Sequence, residues 1–76
     1  MSKAIVLINA ELGTEGYLLQ KLKKIDFVKE TYVVFGVYDI VVILEGESQD
    51  DVKKTITGEI REFPEVRSSL IMMVAD

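Results

Sequence analysis

Cysteine and histidine are both absent from this chain of 76 residues. Without cysteine there is no disulfide and no thiolate metal site. Without histidine the commonest general base is missing too. The carboxylates that remain do not fall at a metal-ligand spacing among apolar residues. Asp50 and Asp51 are neighbours at an expected helix start, where helix electrostatics accounts for them. Gly13-Thr14-Glu15-Gly16 lacks the lysine and spacing of a phosphate-binding loop and reads as a strand-to-helix turn. No catalytic residue, metal or cofactor is expected, and the chain is read as not an enzyme. Long apolar runs are missing as well. None approaches the ~20 residues of a membrane span. Ala4 to Ala10 is too short for a secretory leader and is followed at once by polar residues. A cytoplasmic protein without a membrane partner is the expectation. Positive charge is also scarce: the net charge is −4 and the pI about 4.7. A nucleic-acid binder carries a basic face or tail. Lys21, Lys23 and Lys24 are too few, and read as a solvated helix face, so no direct nucleic-acid binding is expected.

Apolar residues make up 49% of the chain and charged residues 29%. At this length one domain, spanning residues 1–76, is expected, with a modest core. Association with further copies is the remaining common stabiliser.

The β-branched run Lys3 to Ala10 suits a strand. Thr14 is placed to cap a helix on which Tyr17, Leu18, Leu22 and Ile25 recur. Phe27 to Gly36 and Asp39 to Glu45 read as two more strands, joined by a tight segment at Gly36-Val37-Tyr38. Ser48, with Asp51 three residues on, opens a second helix whose stripe is Val52, Ile56, Ile60 and Phe63. Gly58 within it is expected to mark a close approach of another backbone. Pro64 ends it, and Val66 to Ala75 forms the fourth strand. The order βαββαβ is the split βαβ pattern. It predicts a ferredoxin-like α+β fold: a four-stranded antiparallel sheet with two helices on one face.

The strands are apolar on both sides, which a sheet with one wet face would not be. A four-stranded sheet spans ~19 Å by ~23 Å, so its open face is ~400 Å² in projection. A homodimer with twofold symmetry is the simplest cover. The outward set is expected to be Lys3, Ile5, Leu7 and Asn9 in the first strand, and Asp39, Val41, Ile43 and Glu45 in the third. The second strand is not assigned by pattern.

Phe35-Gly36-Val37-Tyr38-Asp39-Ile40 is the most informative segment. A half-buried aspartate needs donors, and glycine lets another group approach the backbone. Asp39 could hold an α-amino group while free N–H groups hold an α-carboxylate. The competing reading is a hairpin turn in which Asp39 accepts local N–H bonds.

The pattern V-x-x-x-Y-x-V-x-G-x-Y-D stands here as Val28, Tyr32, Val34, Gly36, Tyr38 and Asp39, with Ile40 to Leu44 following. It resembles the effector-binding, or RAM, domain of the Lrp/AsnC transcription regulators. Phe63-Pro64-Glu65-Val66 resembles that family's l-P-g-V before its last strand. The regulators normally carry an N-terminal helix-turn-helix domain. This chain starts at the first strand and so looks like a stand-alone module. The resemblance implies dimers packed sheet to sheet as a dimeric α+β barrel, assembling into octamers or similar rings. It implies a free amino acid bound between dimers at Gly36, Tyr38 and Asp39, with Ser68 and Ser69 as further candidates. The threonine-rich stretch common there is replaced by Ser68-Ser69-Leu70-Ile71, which leaves the effector's side chain open.

The expected function is amino-acid sensing that modulates a full-length Lrp/AsnC regulator, by mixed assembly or by competition for ligand. An ACT-like amino-acid-binding module would place its ligand at Gly13. A small dimeric α+β barrel enzyme would need a polar cavity inside the dimer. A purely structural assembly module would bind no ligand.

Overall fold

Strand β1 (Ser2–Ala10) alternates buried and half-buried residues from Ala4 to Ala10, as a strand with one face turned to the core does. The structure is a computed structural model describing residues 1–75. Asp76, the last residue of the expected domain, lies outside the described residues. After β1 come α1 (Glu15–Lys23), β2 (Val28–Val33), β3 (Ile40–Gly46), α2 (Gln49–Thr55), a π-helical turn (Ile56–Ile60) and β4 (Val66–Met73). The sheet is antiparallel with strand order β2-β3-β1-β4. This is the ferredoxin-like βαββαβ arrangement, as the sequence predicts.

The even residues of the central pair, Ala4, Val6, Ile8 and Ala10 with Ile40, Val42 and Leu44, face the helices. Leu18, Leu22 and Ile25 cover them from α1 and its end; Val52, Ile56 and Ile60 do so from α2 and the π turn. Tyr17 does not join this stripe and is 63% exposed. Lys21 Nζ lies 4.9 Å from its ring centroid and 4.9 Å from that of Phe63. The same ammonium meets Glu65 at 2.8 Å. That hydrogen bond holds the Glu65 carboxyl below its ordinary range, against the opposing effect of burial.

Ser48 caps α2 as expected, accepting the Asp51 N–H at 3.1 Å. Thr14 stands at the cap position of α1 but makes no side-chain cap bond. Its hydroxyl donates backward to the Glu11 carbonyl at 2.7 Å.

Past Thr55 the ladder widens, and Arg61 N–H reaches Ile56 C=O at 2.9 Å. In an α-helix each four-residue step rotates a stripe by about 40°. The wider turn reverses part of that drift and keeps Ile60 beneath Ile56. Gly58 lies here with no heavy atom within 4 Å of an added Cβ, so the expected close approach is not at this glycine. The crowded glycine is Gly46, and side chains crowd it, not backbone: its Cβ would stand 2.9 Å from Val52 Cγ2 and 3.6 Å from Phe27 Cδ1. Gly46→Ala is therefore expected to destabilise the fold by about 1–3 kcal/mol through overpacking. Gly58→Ala is expected to stabilise it by about 0.4–1 kcal/mol by narrowing the unfolded ensemble. Urea unfolding of the two variants at one protein concentration reads the opposite signs.

On the other side of the sheet no helix packs. Register places Tyr32, Val41, Leu7 and Leu70 in one row and Ile43, Ile5 and Met72 in the next. Lys3 and Glu45 close one end with an ion pair at 3.3 Å. At the β2 edge the Tyr32 hydroxyl donates to Glu30 at 2.7 Å. That bond raises the phenol's pKa above its usual value. Lys3, Ile5, Leu7, Asn9, Val41, Ile43 and Glu45 thus lie on the face expected of them.

Candidate ligand-binding site

Asp39 stands one residue ahead of β3. Its N–H donates to Ile8 C=O at 2.9 Å, and its carbonyl accepts the Val34 N–H at 2.9 Å. The carboxylate Oδ2 accepts the N–H of Ala10 at 3.0 Å. A half-buried carboxylate must find donors. This one finds its donor across the sheet rather than inside its own turn, unlike the local hairpin arrangement weighed from the sequence. The cause lies in β1. Its register against β4 shifts between Asn9 and Ala10. The β1–β3 ladder has already ended at Ile8 and Ile40. Ala10 N–H therefore needs an acceptor from beyond the regular ladder.

The neighbouring residue reaches the other way. Asn9 Nδ2 donates to Ser68 Oγ at 3.1 Å. Two consecutive residues of β1 thus gather Asp39 and Ser68 at one end of the sheet. Ser69 is not with them. It pairs with Ile8 and lies on the helix side, whereas Ser68 pairs with Asn9 on the open side. Asn9 is the residue that sequence reasoning did not name for this site. Its signal was faint: a polar residue near the end of an apolar run.

The connection between β2 and β3 is wider than the expected tight turn, running over residues 34–39. Gly36 adopts φ +152°, with open space around an added Cβ, so glycine serves the backbone conformation there and not clearance. Among the described residues, the N–H groups of residues 35–38 donate to no backbone acceptor. Tyr38 is half-buried. Phe35 is fully exposed and Val37 is 84% exposed. On the adjoining loop after β1, Leu12 is 94% exposed.

The main surface depressions lie elsewhere. One of about 320 Å³ is lined by Met1, Phe27, Lys29, Glu45, Gly46 and Glu47, at the opposite end of β1. Among the described residues no three potential metal-ligating side chains converge. Nor is any helix among them long and apolar enough to cross a membrane.

The family model of the Lrp/AsnC ligand binding domain matches residues 3–76. The chain belongs to the Lrp/AsnC ligand-binding domain family. Among solved structures, FFRP-DM1 is 35% identical with a TM-score of 0.95, covering 99% of this chain and 100% of its own. AsnC from E. coli is 22% identical with a TM-score of 0.90; the match covers 99% of this chain and 51% of that one. A transcriptional regulator from Neisseria meningitidis, solved as a complex with L-Met, is 9% identical with a TM-score of 0.86, covering 99% and 50%. The last two likenesses show the fold alone. No curated protein matches the chain. In this Lrp/AsnC domain, Gly36 and Asp39 of the motif occupy the loop and the strand-end bond described above.

Proposed function

We propose that this Lrp/AsnC domain, over residues 1–76, is a cytoplasmic sensor of a free amino acid and has no catalytic activity of its own. The observation that carries this reading is the half-buried Asp39 carboxylate, held through Oδ2 by Ala10 N–H. Oδ1 is left to accept from an α-ammonium group. The N–H groups of residues 35–38 supply donors for the α-carboxylate. Gly36 and Tyr38 shape that loop, and Ser68, fixed by Asn9, closes the β4 side. Ser69, on the helix side, is the weakest of the proposed set. The amino-acid class is supported by the N. meningitidis regulator of the same fold, described as an L-Met complex.

The site is open in one chain, and enclosure by further copies completes it. Rows of apolar residues on the uncovered sheet face support a twofold dimer as the first step, with dimers assembling into an octamer or similar ring. Bound ligand then shifts the assembly, and mixed assembly with a full-length Lrp/AsnC regulator is the route to transcription.

Calorimetric titration with each of the twenty amino acids tests the reading. At least one is expected to bind. Asp39→Asn keeps an acceptor for Ala10 while removing the charge. It should weaken that binding about tenfold or more and shift the melting temperature by only a few degrees. Unchanged affinity in the variant overturns the role of Asp39.

A further inference from the structure

We infer that the site selects free amino acids with a large apolar side chain, and that Leu12, Phe35 and Val37 make the selection. The inference rests on the reading of Asp39 as the ammonium anchor.

Single exposed apolar residues are ordinary. Three on two loops that share one hydrogen-bonded junction are not. The bond from Val34 N–H to Asp39 C=O places Phe35 one residue from the anchor's own backbone partner. Val37 is two residues before Asp39. Leu12 is two residues after Ala10, whose N–H holds the carboxylate. Two residues of chain span at most about 7 Å, so the α-carbons of Leu12 and Val37 lie close to that junction.

Turns ordinarily carry Gly, Asn, Asp, Ser or Pro. Here Leu12, Phe35 and Val37 are among the most exposed apolar side chains of the molecule. Neither loop contains a lysine or an arginine. An acidic ligand side chain would therefore meet Asp39 and Glu11 without a cation from these loops. Glu11 in turn faces Arg67 at 3.8 Å, on the exposed surface. What the loops offer a side chain is apolar contact, and burying a leucine-sized group there discriminates by about 10–100-fold.

The test is calorimetry on the wild-type protein with L-Leu, L-Met and L-Phe against Gly, L-Asn, L-Asp and L-Lys. Leu12→Ser, Phe35→Ser, Val37→Ser and Asp39→Asn are run alongside, with sedimentation velocity on every sample. The apolar amino acids should bind at least about tenfold tighter than the others. Each serine variant should narrow that preference, while Asp39→Asn weakens all ligands together. Equal affinity across the panel, or preference for a polar one, with Asp39→Asn still weakening them, overturns the selectivity and leaves the anchor standing. Binding by no amino acid removes the anchor and this inference with it. Serine variants that lose assembly but keep the preference assign the three residues to contacts between copies and overturn the inference.

Discussion

Leu7→Glu is expected to leave the chain folded and to keep it monomeric. Leu7 sits within the row Tyr32–Val41–Leu7–Leu70, on the side of the sheet that no helix covers. It belongs to no part of the buried core. In the single chain a glutamate there keeps access to water. In a twofold dimer the substitution enters the interface from both partners. Two carboxylates then face apolar surface with no cation provided. Burying even one unpaired charge costs several kcal/mol, so dissociation should become at least about a thousandfold easier. Sedimentation velocity at micromolar concentration reads the assembly, and circular dichroism reads the fold. The midpoint of unfolding should fall only by what association had contributed. A wild-type chain that is already monomeric, or a variant that still dimerises, refutes the covered face.

Ile56→Ala is expected to have the largest effect on folding itself. Ile56 is fully buried at the junction of α2 and the π turn. Truncation there costs about 2–5 kcal/mol in lost transfer energy and residual cavity. A domain of this length holds only about 4–11 kcal/mol in total. The variant should therefore unfold at a much lower urea midpoint and be partly unfolded near body temperature. Ile56→Val, with one methyl lost, should cost about 0.5–1.5 kcal/mol. Urea unfolding at matched protein concentration, with an unchanged slope, separates the two. Equal midpoints for Ala and Val would show that the helix end repacks around the gap.

The face parity of β1 and β3 was legible because alternation has a period of two, and β3 follows it throughout and β1 from Ala4 onward, whereas β2 offered no such pattern. The cap at Ser48 was legible for a similarly local reason. Tyr17 was misplaced because helical spacing does not show that its ring stands exposed beside the Lys21 ammonium instead of in the core. The π turn left no mark because Val52, Ile56 and Ile60 keep a four-residue spacing whether the helix widens or not. Gly58 attracted attention inside the helix, yet the crowded glycine is Gly46, whose neighbours come from α2 and from the residue just before β2. Asp39 was legible as a candidate from its type and place. Its partner was not, since the bond to Ala10 depends on where two ladders stop. The same holds for Asn9 with Ser68, which are brought together only by pairing across the sheet. Ser68 and Ser69 looked equivalent in the sequence, and the pleat separates them.

Strand β1 answers to two masters at once, with its loyalties sorted by odd and even. Ala4, Val6, Ile8 and Ala10 are hidden in the lone subunit, so any tolerable replacement there must suit the helices. Ile5 and Leu7 are constrained only by whatever meets the bare side. A deep mutational scan of this nine-residue segment would thus show a two-beat rhythm. Selection for expression alone would keep one beat, and selection for company would sound both.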